Sequence, residues 1–202
     1  MKVLTLTRKQ LNEEAHKLLA EIQQDQIHFD MVIGIAIGGI YVSQPIKEEM
    51  CKNGWTGKYN EIKLSRKSTD VKQKWQLKKI LTKLPYSVLN LLRIIEVKLF
   101  EQFKAGTYNT SKENHVIFSD ITRQEIMNSN SILLIDDAID TGSTVLAIKN
   151  VLKKINPDID VKIAVLTVTH TSPYIKPDYT LYKHVLLRCP WAEDYKGMDK
   201  IG

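Results

Sequence analysis

Cysteine is scarce in this 202-residue chain. Its two cysteines, Cys51 and Cys189, form no C-x-x-C pair and have no histidine at ligand spacing, which argues against a disulfide framework and against a zinc site. Long hydrophobic runs are also missing. The most apolar stretch, Met31 to Val42, is interrupted by three glycines and is far short of the roughly 20 residues that span a bilayer. The opening residues Met1-Lys-Val-Leu-Thr-Leu-Thr-Arg lack the apolar core of a secretory signal, so a reducing cytoplasm is the expected setting. Repeats and low-complexity segments are absent. With 43% hydrophobic and 26% charged residues, the length suits one well-buried α/β domain, expected to cover residues 1–202.

Positive charge is in excess and unevenly placed. The formal net charge is +6, and residues 61–115 hold twelve Lys or Arg against five Asp or Glu. Such a patch can face nucleic acid, a polyphosphate substrate or bulk water, and by itself it does not make nucleic acid the expected partner.

One stretch organises the rest: Ile132-Leu-Leu-Ile-Asp136-Asp137-Ala-Ile-Asp140-Thr141-Gly142-Ser143-Thr144-Val145. Four apolar residues running into acids and turn formers predict a parallel strand covered on both faces. Val145, Ile148, Val151, Leu152 and Ile155 then recur at helical spacing, and Pro157 ends the pattern. Acids therefore gather at the carboxyl end of a strand, where open α/β sheets bind ligands. Thr141, Gly142, Ser143 and Thr144 can offer backbone N–H groups and hydroxyls at a helix N-terminus, a natural phosphate seat. Asp136 and Asp137 would repel that phosphate, so sugar hydroxyls or Mg²⁺ are their better targets. A sugar phosphate satisfies both halves. An EF-hand reading fails, because counting from Asp136 the Gly position holds Thr141 and the closing Glu position holds Ala147.

These fourteen positions resemble the PRPP-binding motif of type I phosphoribosyltransferases, in which a strand ends in two acids, two apolar residues and Asp-Thr-Gly. The resemblance implies an α/β fold with a parallel sheet flanked by helices, Mg²⁺ as cofactor, and PRPP and a nucleobase as substrates. It also implies that Asp136 and Asp137 hold the ribose hydroxyls and the metal, and that residues 140–144 hold the 5′-phosphate. By similarity to the purine branch, Asp140 lies beside the base and assists its proton movement, with helix N-capping as its plainer role.

Upstream, Thr7 and Gln10 form a capping box before a helix whose apolar stripe is Leu11, Ala15, Leu18, Leu19 and Ile22. Residues 29–40 read as a second buried strand breaking at a Gly pair, followed by a helix over 41–52. A loop after an early strand holds pyrophosphate in the family, and Ile37, Gly38 and Gly39 stand where that loop belongs, with backbone donors only. Residues 58–65 read as a partly exposed strand. Arg66, Lys67 and Ser68 follow it where the family places a mobile lid, or else form an ordinary solvated loop.

Residues 71–114 depart from a minimal family core. Trp75, Leu77, Ile80, Leu81 and Leu84 pattern one helix ending at Pro85, and Ser87 can cap a second from Val88 to Phe103. The second is apolar nearly all round, which predicts cover by the sheet or by a second subunit in a homodimer. His115 to Ser119 reads as a short strand, Thr122 to Glu125 as a helical turn, and Val161 to Thr169 as another buried strand. Residues 176–193 supply an edge strand and a final loop.

The acceptor is read from the C-terminal part. In 6-oxopurine enzymes a Lys contacts the exocyclic oxygen and an aromatic residue stacks on the purine. Here those positions fall on Thr169, next to His170, and on Leu186, with Ile139 and Trp191 completing the expected base pocket. Pro177-Asp178-Tyr179 and Pro190-Trp191 resemble the tail of the xanthine-guanine branch. The leading expectation is a purine salvage enzyme acting on a 6-oxopurine. Two alternatives are another heterocycle or amine as acceptor, and a PRPP-sensing regulator that binds nucleic acid.

Overall fold

A computed structural model describes residues 1–62, 84–103, 113 and 116–201. Among them the elements run β1 Lys2–Thr5, α1 Arg8–Gln24, β2 Met31–Ile35, α2 Ala36–Lys52, β3 Lys58–Ile62, α3 Tyr86–Phe103, α4 Asp120–Met127, β4 Ser131–Ile139, α5 Ser143–Ile155, β5 Asp160–Val168, β6 Tyr179–Lys183 and β7 Val185–Arg188.

Five strands form one parallel sheet in the order β3-β2-β4-β5-β6. The chain winds outward from β2 to β3 and then returns to β4 on the other side of β2. The β2/β4 junction is thus the switch point, outside whose carboxyl edge open α/β sheets bind ligands. Alternate side chains feed two cores. Met31, Ile33, Ile132, Leu134, Ile163 and Val165 pack with α4 and α5, whereas Val32, Leu133, Ile135, Ala164 and Leu166 pack with α1 and α2. The predicted stripe on α1 is buried, and Thr7 and Gln10 close their capping box. Each such apolar side chain contributes up to roughly 1.5–3 kcal/mol on full burial.

β1 and β7 pair in parallel as a second, two-stranded sheet. It is fastened to the carboxyl end of β5, where the Thr167 hydroxyl donates to Val185 O at 2.7 Å and His184 N–H donates to Val168 O at 2.8 Å. Beyond β7, Trp191 stacks on Tyr41 of α2.

Several elements differ from the sequence reading. β4 does not stop at Ile135. Its pairing with β5 runs on to Ile139, so Asp136 and Asp137 are strand residues, not turn residues. Val116 to Ser119 has no strand pairing, and Ser119 instead caps α4 by accepting from Thr122 N–H at 3.2 Å. α3 begins at Tyr86, ahead of the expected Ser87 cap, and it is not covered by the sheet. Leu89 is buried, but Val88, Leu91, Leu92, Ile95 and Leu99 are exposed on the single chain. The expected helix at 75–84 lies outside the described residues except for Leu84, as does His115. Among the described residues no helix is long and apolar enough to cross a membrane.

Candidate functional site

The helices that leave β2 and β4 start differently from α1 and α4. α1 and α4 are capped by the side chains of Thr7 and Ser119, whereas α2 and α5 follow Ile35 and Gly142, neither of which supplies a side-chain cap. The first-turn N–H groups of a helix have no intrahelical partner, and the macrodipole favours negative charge there. Two such N-termini flank the Asp136-Asp137 pair at the switch point.

The stretch expected to be a loop around Ile37, Gly38 and Gly39 is the first turn of α2. The chain turns from strand to helix at Ala36, whose φ of 49° is the left-handed value; neither glycine has positive φ. The glycines serve close approach. A Cβ on Gly38 would stand 2.2 Å from Asp137 Oδ1, and one on Gly39 would stand 2.3 Å from the Ile135 carbonyl oxygen. Ile37 projects outward and is 63% exposed. The helix therefore presses its opening turn onto the acids of β4.

Asp136 and Asp137 are half-buried, and Asp137 N–H donates to Asp136 Oδ1 at 2.9 Å. Burial pushes both carboxyls above the ordinary range. For Asp136 the neighbouring Asp137 charge adds to that rise, and the Asp140 charge adds to both. A pair held this way gains from any ligand that brings hydroxyl donors or a cation. Among the described residues no cluster of three or more His, Cys, Asp or Glu side chains could hold a metal unaided. Mg²⁺ commonly takes one or two protein carboxylates and completes its shell with water and substrate oxygens, which this pair fits.

Gly142, with φ of 75°, is the N-cap of α5, so Asp140 is not the cap. A side chain at Gly142 would also meet Ile175 Cγ2 at 2.9 Å. Thr141 Oγ1 lies 3.1 Å from Ser143 Oγ and accepts from Ser143 N–H at 3.4 Å, and Thr141 O accepts from Tyr174 N–H at 2.8 Å. Ser143 is buried, whereas Thr144 is half-buried at the same helix start.

Asp140 is exposed and accepts a short hydrogen bond from the buried Thr169 hydroxyl. Thr169 N–H in turn donates to Ile139 O at 2.9 Å, tying the expected base-pocket residues of β4 and β5 together. His170 Nδ1 accepts from Ser172 N–H at 3.1 Å, which leaves the proton of the neutral ring on Nε2. That Nε2 is buried and has no hydrogen-bond partner among the described residues. Leu186 is buried in β7. Trp191 lies beyond β7, not on it, and stacks on Tyr41 of α2 with ring centroids 5.2 Å apart and planes 13° from parallel. Arg66, Lys67 and Ser68 lie outside the described residues.

Two features escaped the sequence reading. Tyr41 supports Trp191 from the helix that carries the Gly pair. Arg93 of α3 reaches the β7 backbone by donating to Leu187 O at 2.9 Å. Neither has a local sequence signal, because both contacts are long-range.

The chain matches the phosphoribosyl transferase domain family over residues 6–198. No curated protein sequence matches it. Among solved structures it is similar to a purine phosphoribosyltransferase from Pyrococcus horikoshii, at 16% identity over 95% of each chain and a TM-score of 0.54. It is also similar to the xanthine-guanine-hypoxanthine phosphoribosyltransferase of Helicobacter pylori, at 13% identity over 92% of this chain and 91% of that one, with a TM-score of 0.52. A protein from Neisseria gonorrhoeae with bound ppGpp aligns over 94% of this chain and 89% of its own, at 14% identity and a TM-score of 0.55. At these identities the structural likeness establishes the fold.

Proposed function

This chain belongs to the phosphoribosyl transferase domain family, as a pentosyltransferase, and from that premise we propose that it transfers the 5-phosphoribosyl group of PRPP to a ring nitrogen of a nucleobase, a 6-oxopurine first, releasing pyrophosphate. The observation that carries the reading is the pair of helix N-termini, α2 and α5, both without side-chain caps, on either side of Asp136 and Asp137. That arrangement suits a ligand with anions at both ends and a diol between them.

In this reading residues 140–144 hold the 5′-phosphate, Asp136 and Asp137 take the ribose hydroxyls, and the first turn of α2 faces the pyrophosphate. The bond from the anomeric carbon to the pyrophosphate oxygen breaks as the bond from a base nitrogen to that carbon forms, and positive charge develops on the ribose. Carboxylates fixed beside it stabilise that charge more in the transition state than in the ground state. The proton leaving the base nitrogen passes to Asp140, which Thr169 orients. Asp136 and Asp137 would hold Mg²⁺, which would supply neutralisation of charge on the departing pyrophosphate.

The buried, unpartnered Nε2–H of His170 favours an oxo over an amino substituent on the base, because a donor is offered there. The reading also carries a cytoplasmic homodimer in which a partner chain covers the exposed apolar face of α3, to be checked by light scattering. The decisive experiment is pyrophosphate release from PRPP and Mg²⁺ across a panel of bases. Release with hypoxanthine, guanine or xanthine is expected. PRPP binding without turnover of any purine would move the assignment to another acceptor, and steeply salt-dependent nucleic-acid binding would favour a regulator.

A further inference from the structure

The acceptor side of the site rests on an ion-pair cluster that no step above uses. Arg188, the last residue of β7, is completely buried. Its Nε donates to Asp194 Oδ2 at 2.9 Å and its Nη1 to Thr5 Oγ1 at 3.1 Å, while Nη2 finds no acceptor among the described residues. Arg93 of α3 takes the other oxygen of the same carboxylate, Nη2 to Asp194 Oδ1 at 2.6 Å, and its Nη1 holds Leu187 O. Burial alone would raise the Asp194 carboxyl, but Arg93 and Arg188 together outweigh it and hold the group below its usual range.

Two cations sharing one buried anion is a poor device for stability, since desolvation consumes most of what a buried ion pair returns. Its consequence is geometric. The turn after β7 is gripped on one side at Leu187 and Arg188 and on the other at Asp194, and between these grips lie Cys189 and Trp191. α3 is clasped to the same region through Tyr86, whose ring lies 4.5 Å under the Arg188 guanidinium and whose hydroxyl accepts from Lys196 N–H at 2.9 Å. From the opposite side Tyr41 of α2 stacks on Trp191. Cys189 is buried beneath the clasp, and the stack of Trp191 on Tyr41 joins the turn to the helix that carries Gly38 and Gly39.

We propose that Arg93, acting through Asp194 and Arg188, is a positioning residue for the acceptor: α3, a segment outside the sheet, holds the turn at 189–193 in place and thereby sets how tightly the nucleobase binds. This rests on the reading that the base sits beside Trp191. Arg93 is the residue to vary, because its side chain is 26% exposed and its loss leaves the Arg188–Asp194 pair intact.

The test compares Arg93→Ala and Arg93→Lys with the unaltered chain by two independent measurements. Hydrogen exchange of peptides covering 189–195 and 132–145 reads the turn without any ligand. Titration with ribose 5-phosphate and with IMP, GMP and XMP separates sugar-phosphate affinity from the part contributed by the base. In Arg93→Ala, exchange should quicken in 189–195 alone, and the tightest-binding nucleotide should weaken roughly ten- to hundredfold, as displacement of a supporting group can cause. Ribose 5-phosphate should keep its affinity, and Arg93→Lys should recover part of the nucleotide binding. Unchanged exchange at 189–195, or equal loss of both ligand classes, overturns the proposal. If the unaltered chain binds neither class, the function proposed above fails and the acceptor role with it, while the exchange measurement still decides whether α3 holds the turn.

Discussion

Gly38 of α2 and Asp137 of β4 are packed so closely that a Cβ on the glycine would lie 2.2 Å from the carboxylate. The two elements leave neighbouring strands at the switch point, and the missing side chain lets the N-terminus of one meet the acids of the other. At Gly39 the obstacle is backbone, with the Ile135 carbonyl oxygen at 2.3 Å and Asp136 Cα at 2.8 Å. Neither can rotate away. Gly39→Ala should therefore lower unfolding stability by about 1–3 kcal/mol, the usual cost of overpacking, as read from a urea midpoint. Gly38→Ala meets a side chain instead. It should cost less stability but displace the Asp137 carboxyl and weaken PRPP binding in a titration.

The acids themselves offer a test with a defined sign. A carboxyl whose folded value is raised contributes stability that is complete below its unfolded value and is lost as pH rises through the folded one. Burial raises Asp136 well above its reference value of 3.8, with the Asp137 charge adding to it. Asp136→Asn keeps the Oδ1 that accepts from Asp137 N–H and removes the charge. Its melting temperature should match the unaltered protein near pH 4 and exceed it increasingly toward pH 8, while PRPP affinity falls. A variant less stable than its parent at pH 8 would mean that the carboxylate is not strained in the free protein.

The buried strands β2, β4 and β5, the α1 capping box and the start of α5 were legible because their signals are local: apolar runs, Thr7 with Gln10, and Asp140-Thr141-Gly142 ahead of a helical stripe. The acid pair was recognised, but its setting was not, since Asp136 and Asp137 continue β4 through pairing with Val165 and its neighbours, and pairing is not written in either strand alone. The Gly pair reads as a loop from sequence because glycine signals turn and close approach alike. Only Asp137 and the Ile135 carbonyl decide for approach. Arg93 and Tyr41 left no trace because their partners, Leu187, Asp194 and Trp191, lie more than ninety residues away in the chain.

Asp194 should govern acid stability. Removing one partner of a buried charge cluster leaves the others uncompensated, so Asp194→Asn, which strands Arg188 in the interior, should cost about 3–5 kcal/mol. Its folded carboxyl lies below the reference value, because the arginines outweigh burial. The stability it contributes is thus present above the unfolded value and lost as pH falls through the folded one. Denaturant midpoints should show a large gap between parent and variant at pH 7 that narrows below pH 4. A gap that does not change with pH would assign the loss to packing instead of charge.

Recognition of the acceptor is the sharpest consequence of the site. Thr169 occupies the position where a lysine donor is expected, and its hydroxyl is already given to Asp140. Two kinds of donor are left on the proposed reading, main-chain N–H groups around Trp191 and His170 Nε2–H, the latter's tautomer following from the Ser172 amide on Nδ1. A buried donor left without an acceptor costs about 1–3 kcal/mol, so a base carrying an exocyclic oxygen at that point should be preferred over one carrying an amino group. Hypoxanthine or guanine should then be turned over and adenine should be a poor substrate. If His170 faces the base as proposed, His170→Ala should raise the Michaelis constant for the oxopurine by roughly tenfold or more while leaving that for PRPP within about twofold. The same substitution should narrow the gap between hypoxanthine and adenine, since the discriminating donor has gone. Steady-state kinetics with both bases decide the matter: an unchanged preference in His170→Ala would move oxygen recognition to another donor, and equal losses for base and PRPP would assign His170 to the frame of the site.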